Sequence, residues 1–266
     1  LLSKRWVDGD TVCLRFELPS PKHILGLPVP GHLIVVDAAN TYRPYSPITT
    51  DQTASGFFDL LVRRYPRGEF SSQLARLEPG DQATFMGPVA SRYEYRRGNA
   101  RELGLVAAGT GITPMWQIIQ TALADEADTT QLSLVYASRS AESILLKEEL
   151  DRAAAEHPGR LRVRYLVSHP PAAEARQQGV RVGRITEEVL RAELPAAPDG
   201  SRPSPEEREQ VHVLVCGPDA FVRELCGPRA HDGGAEPGPG GAHARHPAIG
   251  GVLRKMGYCA QQVTWL

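Results

Sequence analysis

The sequence has little cysteine and no long apolar run. Its four cysteines are scattered, and none forms a pair at the C-x-x-C spacing: they are Cys13, Cys216, Cys226 and Cys259. This scatter argues against a disulfide framework or a zinc site and favours reduced thiols in a reducing compartment. Because no run of about twenty apolar residues occurs, we expect no membrane-spanning segment in this chain.

An excess of charge of either sign is also missing. The 30 lysines and arginines nearly balance the 31 aspartates and glutamates, for a net charge of -1, so we expect no nucleic acid partner. The 266 residues suit one large domain or two of ordinary size. No signal peptide is visible. We expect a cytoplasmic chain, or one at the cytoplasmic face of a membrane, with any N-terminal anchor absent from this chain.

The first hundred residues read as short strands separated by turns. The predicted strands are Thr11–Leu18, His32–Val36, Phe57–Tyr65 and Ala83–Met86. One short helix is predicted near Ser71–Leu77. Short strands at this spacing are typical of a small closed antiparallel barrel. We therefore predict an antiparallel β-barrel domain over residues 1–98.

From residue 99 onward, strands and helices alternate. The predicted strands are Leu103–Ala107, Leu132–Tyr136, Val163–Leu166 and Val211–Val215. The predicted helices are Pro114–Ala124, Leu146–Glu156, Thr186–Ala192 and Asp219–Cys226. This alternation predicts an α/β domain over residues 99–266 with a doubly wound parallel sheet.

Two low-complexity segments interrupt the second domain. Residues 195–208 are rich in proline, serine and charge and read as a surface loop. Residues 227–247 consist mainly of Gly, Pro, Ala, Arg and His, and cannot bury enough apolar area to offset their ordering entropy. We expect this insert to be disordered. Its three histidines lack ligand partners at fixed spacing, so we predict no metal site.

The stretch Gly104–Met115 joins a buried strand to a helix through a turn of small residues. Thr113 is a suitable N-cap, and Pro114 suits the first helical position. Free backbone N–H groups at such a helix start bind a phosphate or the polar edge of a cofactor. A glycine turn without any ligand is the alternative interpretation of this stretch alone.

The pentapeptide Arg43–Pro47 offers groups that a flavin nucleotide needs. Arg43 can form forked bonds to a pyrophosphate, and Tyr45 supplies a face for stacking. The Ser46 hydroxyl can form a hydrogen bond to a ring nitrogen. The alternative is a strand stiffened by proline with a surface arginine.

Two further clusters carry similar chemistry. Arg63 and Arg64 precede a glycine-led helix start at Gly68–Ser71, which presents backbone N–H groups to an anion. The stretch Cys216–Phe221 follows the last predicted parallel strand, where α/β folds bind ligands. Taken singly, the arginines fit a solvated strand edge, and Cys216 fits a small core residue.

In this order the clusters resemble one family. The motifs that carry the resemblance are RPYSP, LLVRRY, GEFSSQL, GDQATFMGP, AAGTGITPM, ILLKEEL and CGPDAF. They are similar to those of flavoprotein reductases of the NADH–cytochrome b5 reductase type, within the ferredoxin reductase-like superfamily. The resemblance covers about Val7–Phe221 and the last dozen residues.

The resemblance implies FAD and NADH as cofactors and assigns residues to each. It implies FAD binding by Arg43, Pro44, Tyr45, Ser46, Leu61, Arg63, Gly68, Glu69, Phe70 and Ser71. It places at the flavin–nicotinamide junction Gly109, Thr110, Gly111, Thr113, Cys216, Gly217 and Pro218. Ser46 and Cys216 are the candidate catalytic residues among them. We interpret the glycines at 109 and 111 as leaving room for the approaching ring.

The implied activity is an FAD-dependent oxidoreductase that takes a hydride from NADH and passes single electrons to a haem protein such as cytochrome b5. One alternative is a reductase component for an oxygenase, although the scattered cysteines offer no iron–sulfur module. Another is a catalytically weak FAD-binding isoform, because Leu266 replaces the family's terminal aromatic residue. Ser138 and Arg139 leave NADPH open, whereas the resemblance favours NADH.

Overall fold

The computed structural model describes residues 1–37, 39–65, 68–168, 179–197, 210–228 and 249–266. The insert predicted at 227–247 falls outside these ranges except for its first two residues. The loop predicted at 195–208 likewise lies outside them from residue 198 onward.

The N-terminal part of the chain forms two three-stranded antiparallel sheets. Its elements are β1 (Ser3–Trp6), β2 (Thr11–Glu17), β3 (Gly31–Val36), β4 (Tyr42–Tyr45), β5 (Phe57–Arg63), α1 (Glu69–Arg76) and β6 (Thr84–Ala90). One sheet has the order β1-β2-β5 and the other has the order β4-β3-β6. The predicted antiparallel architecture is confirmed.

The two sheets enclose a common apolar core. Along β2 and β5, alternate residues turn into this core, and the opposite face of β5 is buried as well. The core contains Val12, Leu14, Phe16, Leu33, Val35, Phe58, Leu60, Val62, Leu74 and Ala75. Strand β6 runs past the predicted end at Met86 and pairs with β3 as far as Ala90, with two β6 residues opposite one β3 residue between His32 and Ile34.

The C-terminal part forms a six-stranded parallel sheet with helices on its faces. Its elements are β7 (Glu102–Ala108), α2 (Ile112–Ala124), β8 (Gln131–Ser138), α3 (Lys147–Glu156), β9 (Leu161–Val167), β10 (Arg181–Val182), α4 (Glu187–Glu193), β11 (Val211–Cys216), α5 (Asp219–Cys226), α6 (Gly251–Lys255) and β12 (Val263–Trp265). The strand order is β10-β9-β8-β7-β11-β12.

Both faces of this sheet are buried, which explains its continuous apolar strands. Leu105 on β7 joins the core that α2 covers, whereas its neighbour Val106 joins the core beneath α4 and α5. The same alternation recurs on β8, where Tyr136 and Val135 enter opposite cores. The predicted parallel, doubly wound domain is confirmed.

The entry into α2 differs from the predicted one. A 3₁₀ turn over Gly109–Gly111 leads directly into the helix, which begins at Ile112. The prediction that Thr113 is the N-cap is therefore wrong, because that residue already lies inside the first turn. Its hydroxyl instead donates to the carbonyl of Thr110 at 3.1 Å.

The chain segments that precede and follow the predicted insert lie next to each other. Gly250 N–H donates to the carbonyl of Cys226 at 2.6 Å. A Cβ on Gly227, where φ is +87°, would lie 2.7 Å from the Cα of Gly250. Because the two ends meet, α6 packs against α5 and the core below both helices stays continuous.

A buried glutamine on α2 connects the two domains. The Oε1 atom of Gln117 accepts from the N–H of Gly31 at 2.8 Å. Its Nε2 atom donates to the carbonyl of Pro47 at 2.6 Å and to that of Gly31 at 3.2 Å. The side chain is fully buried, so each of these bonds is shielded from water. Leu61 of β5 adds an apolar contact by joining the α2 core.

No helix in the described ranges combines the length and the apolar character that crossing a bilayer requires.

We predict that Gln117→Ala lowers the free energy of unfolding by about 2–3 kcal/mol, because it leaves buried backbone groups of Gly31 and Pro47 unpaired. Urea unfolding measures the loss. The matched control is Gln120→Ala on the same helix, since the Oε1 atom of Gln120 accepts no hydrogen bond from any described residue. Equal losses in the two variants would contradict the assigned role of Gln117.

Candidate active site

A cleft of about 1200 Å³ lies between the two domains. Its walls come from the ends of β4 and β5, from the turn after β7, and from the residues after β8, β10 and β11. Twelve of the predicted site residues line it: Pro44, Tyr45, Ser46, Leu61, Arg63, Gly109, Thr110, Gly111, Thr113, Cys216, Gly217 and Pro218. Residues far apart in the sequence thus meet at the carboxyl edge of the parallel sheet.

The barrel wall presents a half-buried aromatic surface. The ring of Tyr45 stacks on that of Phe70 on α1, with 6.3 Å between their centroids. Burial raises the pKa of Tyr45 to about 12, and the nearby Tyr65 adds to the effect. The Tyr45 hydroxyl therefore stays protonated at neutral pH. Ser46 follows Tyr45 directly and faces the same cleft.

The start of α1 lies behind this wall, so Gly68, Glu69, Phe70 and Ser71 do not line the cleft. Tyr65, which lines the cleft, forms hydrogen bonds to the start of this helix. Its carbonyl accepts from the N–H of Gly68 at 2.9 Å, and its N–H donates to the Ser71 hydroxyl at 3.2 Å.

Arg43 is the other predicted residue outside the cleft wall. It lies exposed on β4, and its guanidinium donates to the carbonyl of Tyr42 at 2.8 Å. It remains next to Pro44, which lines the cleft.

The opposite wall begins with the turn at Gly109. This residue has φ +56°, a conformation that glycine adopts without strain. From below, the Tyr136 hydroxyl donates to the carbonyl of Gly109 at 2.9 Å and accepts from the N–H of Leu145 at 3.3 Å. Burial raises the pKa of Tyr136 to about 12, so this hydroxyl keeps its proton.

The two glycines of this turn serve different purposes. A Cβ on Gly109 would have one neighbour within 4 Å, the Nη1 atom of Arg63 at 3.9 Å, so the space above it is open. A Cβ on Gly111 would lie 2.2 Å from the carbonyl oxygen of Cys216 and 2.8 Å from the nitrogen of Gly217. The interpretation that both glycines leave room for a ring is therefore wrong at Gly111. There, the absent side chain allows the turn to pack directly against the backbone of Cys216 and Gly217.

The charge of the cleft is predominantly positive. Among the described residues that line it, the basic ones are Arg63, Arg92, Arg139 and Arg184, whereas Glu224 is the sole acid. Arg63 projects from β5 toward the Gly109 turn and so joins the two walls. A cleft with this balance suits ligands that carry phosphate groups.

The last two residues form part of the cleft wall, a position that the sequence alone did not predict. Trp265 and Leu266 both line it, and the N–H of Leu266 donates to the carbonyl of Val215 at 2.9 Å. The guanidinium of Arg92, from the segment after β6, lies 6.0 Å from the centre of the Trp265 ring. Arg92 was not predicted, because it stands in a polar stretch with no motif around it.

We predict that Gly111→Ala lowers the melting temperature by about 5–10 °C, because the new methyl group overlaps the peptide between Cys216 and Gly217. Differential scanning calorimetry checks this. Gly159→Ala is the matched control, since a Cβ there meets no atom within 4 Å. A Gly111→Ala protein as stable as the control would refute the close approach of the two chain segments.

Comparison with known proteins identifies the family to which the chain belongs. A family model described as the oxidoreductase FAD-binding domain matches residues 1–95, and the oxidoreductase NAD-binding domain matches residues 105–227. The cytochrome b5 reductase domain of Ulva prolifera nitrate reductase superposes with a TM-score of 0.72 at 28% identity, covering 84% of this chain and 87% of that one.

Two relatives align with most of the chain. NADH-cytochrome b5 reductase 1 of Eremothecium gossypii is 36% identical over 225 residues, covering 84% of this chain and 74% of the relative. NADH-cytochrome b5 reductase 1 of Bos taurus is 33% identical over 255 residues, covering 86% and 79%. The resemblance inferred from the motifs is confirmed. The chain belongs to the NADH–cytochrome b5 reductase family.

Proposed function

We propose that this chain oxidises NADH through bound FAD and delivers single electrons to a haem protein such as cytochrome b5. The observation that carries the proposal is the cleft that both domains line. One wall comes from the part that matches the FAD-binding model and the other from the part that matches the NAD-binding model. The cleft therefore allows two nucleotide cofactors to meet.

The residues present fit both cofactors. The open space above Gly109 admits a flat ring, and Arg63 beside it supplies a positive charge for a phosphate. When bound, FAD accepts a hydride from NADH and releases electrons one at a time, which matches a two-electron donor to a one-electron haem acceptor.

We assign the FAD to the barrel wall. Tyr45, supported by Phe70, would offer a rigid face for stacking, and Ser46 would offer a hydroxyl for a hydrogen bond to the flavin ring. Arg43 and the helix start at Gly68–Ser71 are assigned to the pyrophosphate, with the N–H groups of Glu69, Phe70 and Ser71 as donors because that of Gly68 is bonded to Tyr65. The remaining residues that we assign to FAD are Pro44, Leu61, Arg63 and Glu69, the last at the start of α1.

We assign the nicotinamide to the opposite wall. Its residues are Gly109, Thr110, Gly111, Thr113, Cys216, Gly217 and Pro218. Their main contribution is shape: the Gly111 contact holds the turn after β7 against Cys216, so the wall is a continuous backbone surface. Such a surface excludes water and holds two rings at a fixed distance.

Proton transfer by side chains has little part in this arrangement. Burial raises the pKa values of Tyr45 in the cleft and of Tyr136 beneath the Gly109 turn to about 12, and it lowers the pKa of His32, which lines the cleft. The raised pKa values keep the two tyrosine hydroxyls protonated, and the lowered pKa of His32 favours its neutral form, so these side chains offer hydrogen bonds rather than charge.

The proposal predicts a yellow protein whose flavin absorbance bleaches when NADH is added without oxygen. Oxidised cytochrome b5 added next should become reduced, and cytochrome b5 with NADH alone is the control. A colourless protein that does not take up FAD would overturn the proposal. Bleaching without reduction of cytochrome b5 would overturn the assigned acceptor and direct the search to an oxygenase partner.

We predict that Ser46→Ala slows flavin reduction by NADH about tenfold while FAD stays bound, because one hydrogen bond to the flavin ring is lost. Stopped-flow absorbance measures the rate, and the ratio of flavin to protein measures binding. Ser91→Ala, which removes another hydroxyl from the cleft wall, is the control and should reduce at the normal rate. An unchanged rate in Ser46→Ala would remove this residue from the catalytic set.

A further inference from the structure

The turn after β7 has its backbone carbonyls bonded inside the protein. The carbonyl of Gly109 accepts from the Tyr136 hydroxyl at 2.9 Å and from the N–H of Ile112. The carbonyl of Thr110 accepts from the Thr113 hydroxyl at 3.1 Å. Gly109 and Thr110 nevertheless line the cleft. The acceptors of this turn are therefore directed away from the ligand space.

The bonded carbonyl of Gly109 sets the direction of one N–H group. The peptide between Gly109 and Thr110 is trans, and the C=O and N–H bonds of a trans peptide point in opposite directions. Because the Gly109 carbonyl points down to Tyr136, the N–H of Thr110 points up toward the cleft. The first N–H groups of a helical turn have no acceptor within that turn, so this donor is available to a ligand.

The glycine in this turn needs an external restraint to hold that direction. Gly109 has φ +56°, and glycine adopts a wide range of backbone conformations at little cost. The space above it is open, since a Cβ there would have among the described residues only the Nη1 atom of Arg63 within 4 Å. The restraint therefore comes from below, where Tyr136 is fully buried in the core that α2 covers.

The Tyr136 hydroxyl can supply this restraint because its own orientation is fixed. Its oxygen accepts from the N–H of Leu145 at 3.3 Å, so its proton is directed to the carbonyl of Gly109. Burial raises the pKa of Tyr136 to about 12, which keeps that proton in place at neutral pH. The ring packs against that of Tyr165, with 6.4 Å between the two centroids.

We propose that Tyr136 is a positioning residue for hydride transfer. Its hydroxyl fixes the peptide between Gly109 and Thr110 so that the Thr110 N–H donates into the cleft, where the rings of the two cofactors meet. The inference rests on the proposed function, since that function brings the rings above this turn. Tyr136 does not itself line the cleft and acts through the turn.

Two conservative variants separate this role from general packing. Tyr136→Phe removes the hydroxyl and keeps the ring that fills the core, so this variant is expected to fold. Tyr165→Phe is the matched control, because it removes a second tyrosine hydroxyl from the same core. That hydroxyl donates to the Asp151 carboxylate at 2.8 Å and does not contact the turn.

Amide hydrogen exchange tests the restraint without turnover, and it is measured with and without FAD. The Ile112 N–H should exchange about tenfold faster in Tyr136→Phe than in the wild-type protein, because the carbonyl that accepts from it is no longer held. Tyr165→Phe should exchange at the wild-type rate at this position. A wild-type rate in Tyr136→Phe would overturn the proposal.

Stopped-flow absorbance then relates the restraint to hydride transfer. In FAD-loaded Tyr136→Phe, the limiting rate of flavin reduction at saturating NADH should fall about tenfold while the Kd for NADH stays within about twofold, because one misdirected donor disturbs ring alignment more than affinity. Tyr165→Phe should keep both values. A normal limiting rate in Tyr136→Phe, or an equal loss in the two variants, would overturn the proposal. Faster exchange at Ile112 in a protein that takes up no FAD would uphold the restraint by Tyr136 and overturn the proposed function.

Discussion

The hydrogen bonds of Gln117 are the constraint on which the rest of the site depends. A cleft between two domains is useful only if its walls keep a fixed separation, and apolar contacts alone allow one surface to slide over another. Gln117 bonds to backbone atoms of Gly31 and Pro47, which lie on two different barrel segments. Since all these groups are buried, any displacement leaves them unpaired, and the cost of that loss fixes the relative position of the walls.

Close backbone contact fixes the second wall in the same way. The turn at Gly111 touches the peptide after β11, and Tyr136 holds the carbonyl of Gly109 from beneath. Two strands that are neighbours in the sheet, β7 and β11, thereby present one surface to the cleft. Arg63 near the turn and Arg139 after β8 add positive charges to the cleft, which suits a cofactor that carries phosphates.

Apolar patterning predicted the long buried strands and most of the helices, because burial on both faces leaves a continuous signal in β7 and β11. It missed β1 and β4, which are short and largely exposed. The motifs predicted most residues of the cleft. Local patterns could not predict contacts between segments that are distant in the sequence. These contacts are the hydrogen bonds of Gln117 to the barrel, the close approach of Gly111 to the backbone of Cys216, and the approach of Arg92 to Trp265.

We infer that hydride transfer depends on the fixed separation of the two walls. The most direct measurement is the rate of flavin reduction by NADH in FAD-loaded Gln117→Ala, with Gln120→Ala beside it, at a temperature where both remain folded. We expect at least a tenfold slower reduction in Gln117→Ala and a normal rate in the control, because misplacement of reacting rings by about 1 Å is costly. A normal rate in FAD-loaded Gln117→Ala would contradict the account.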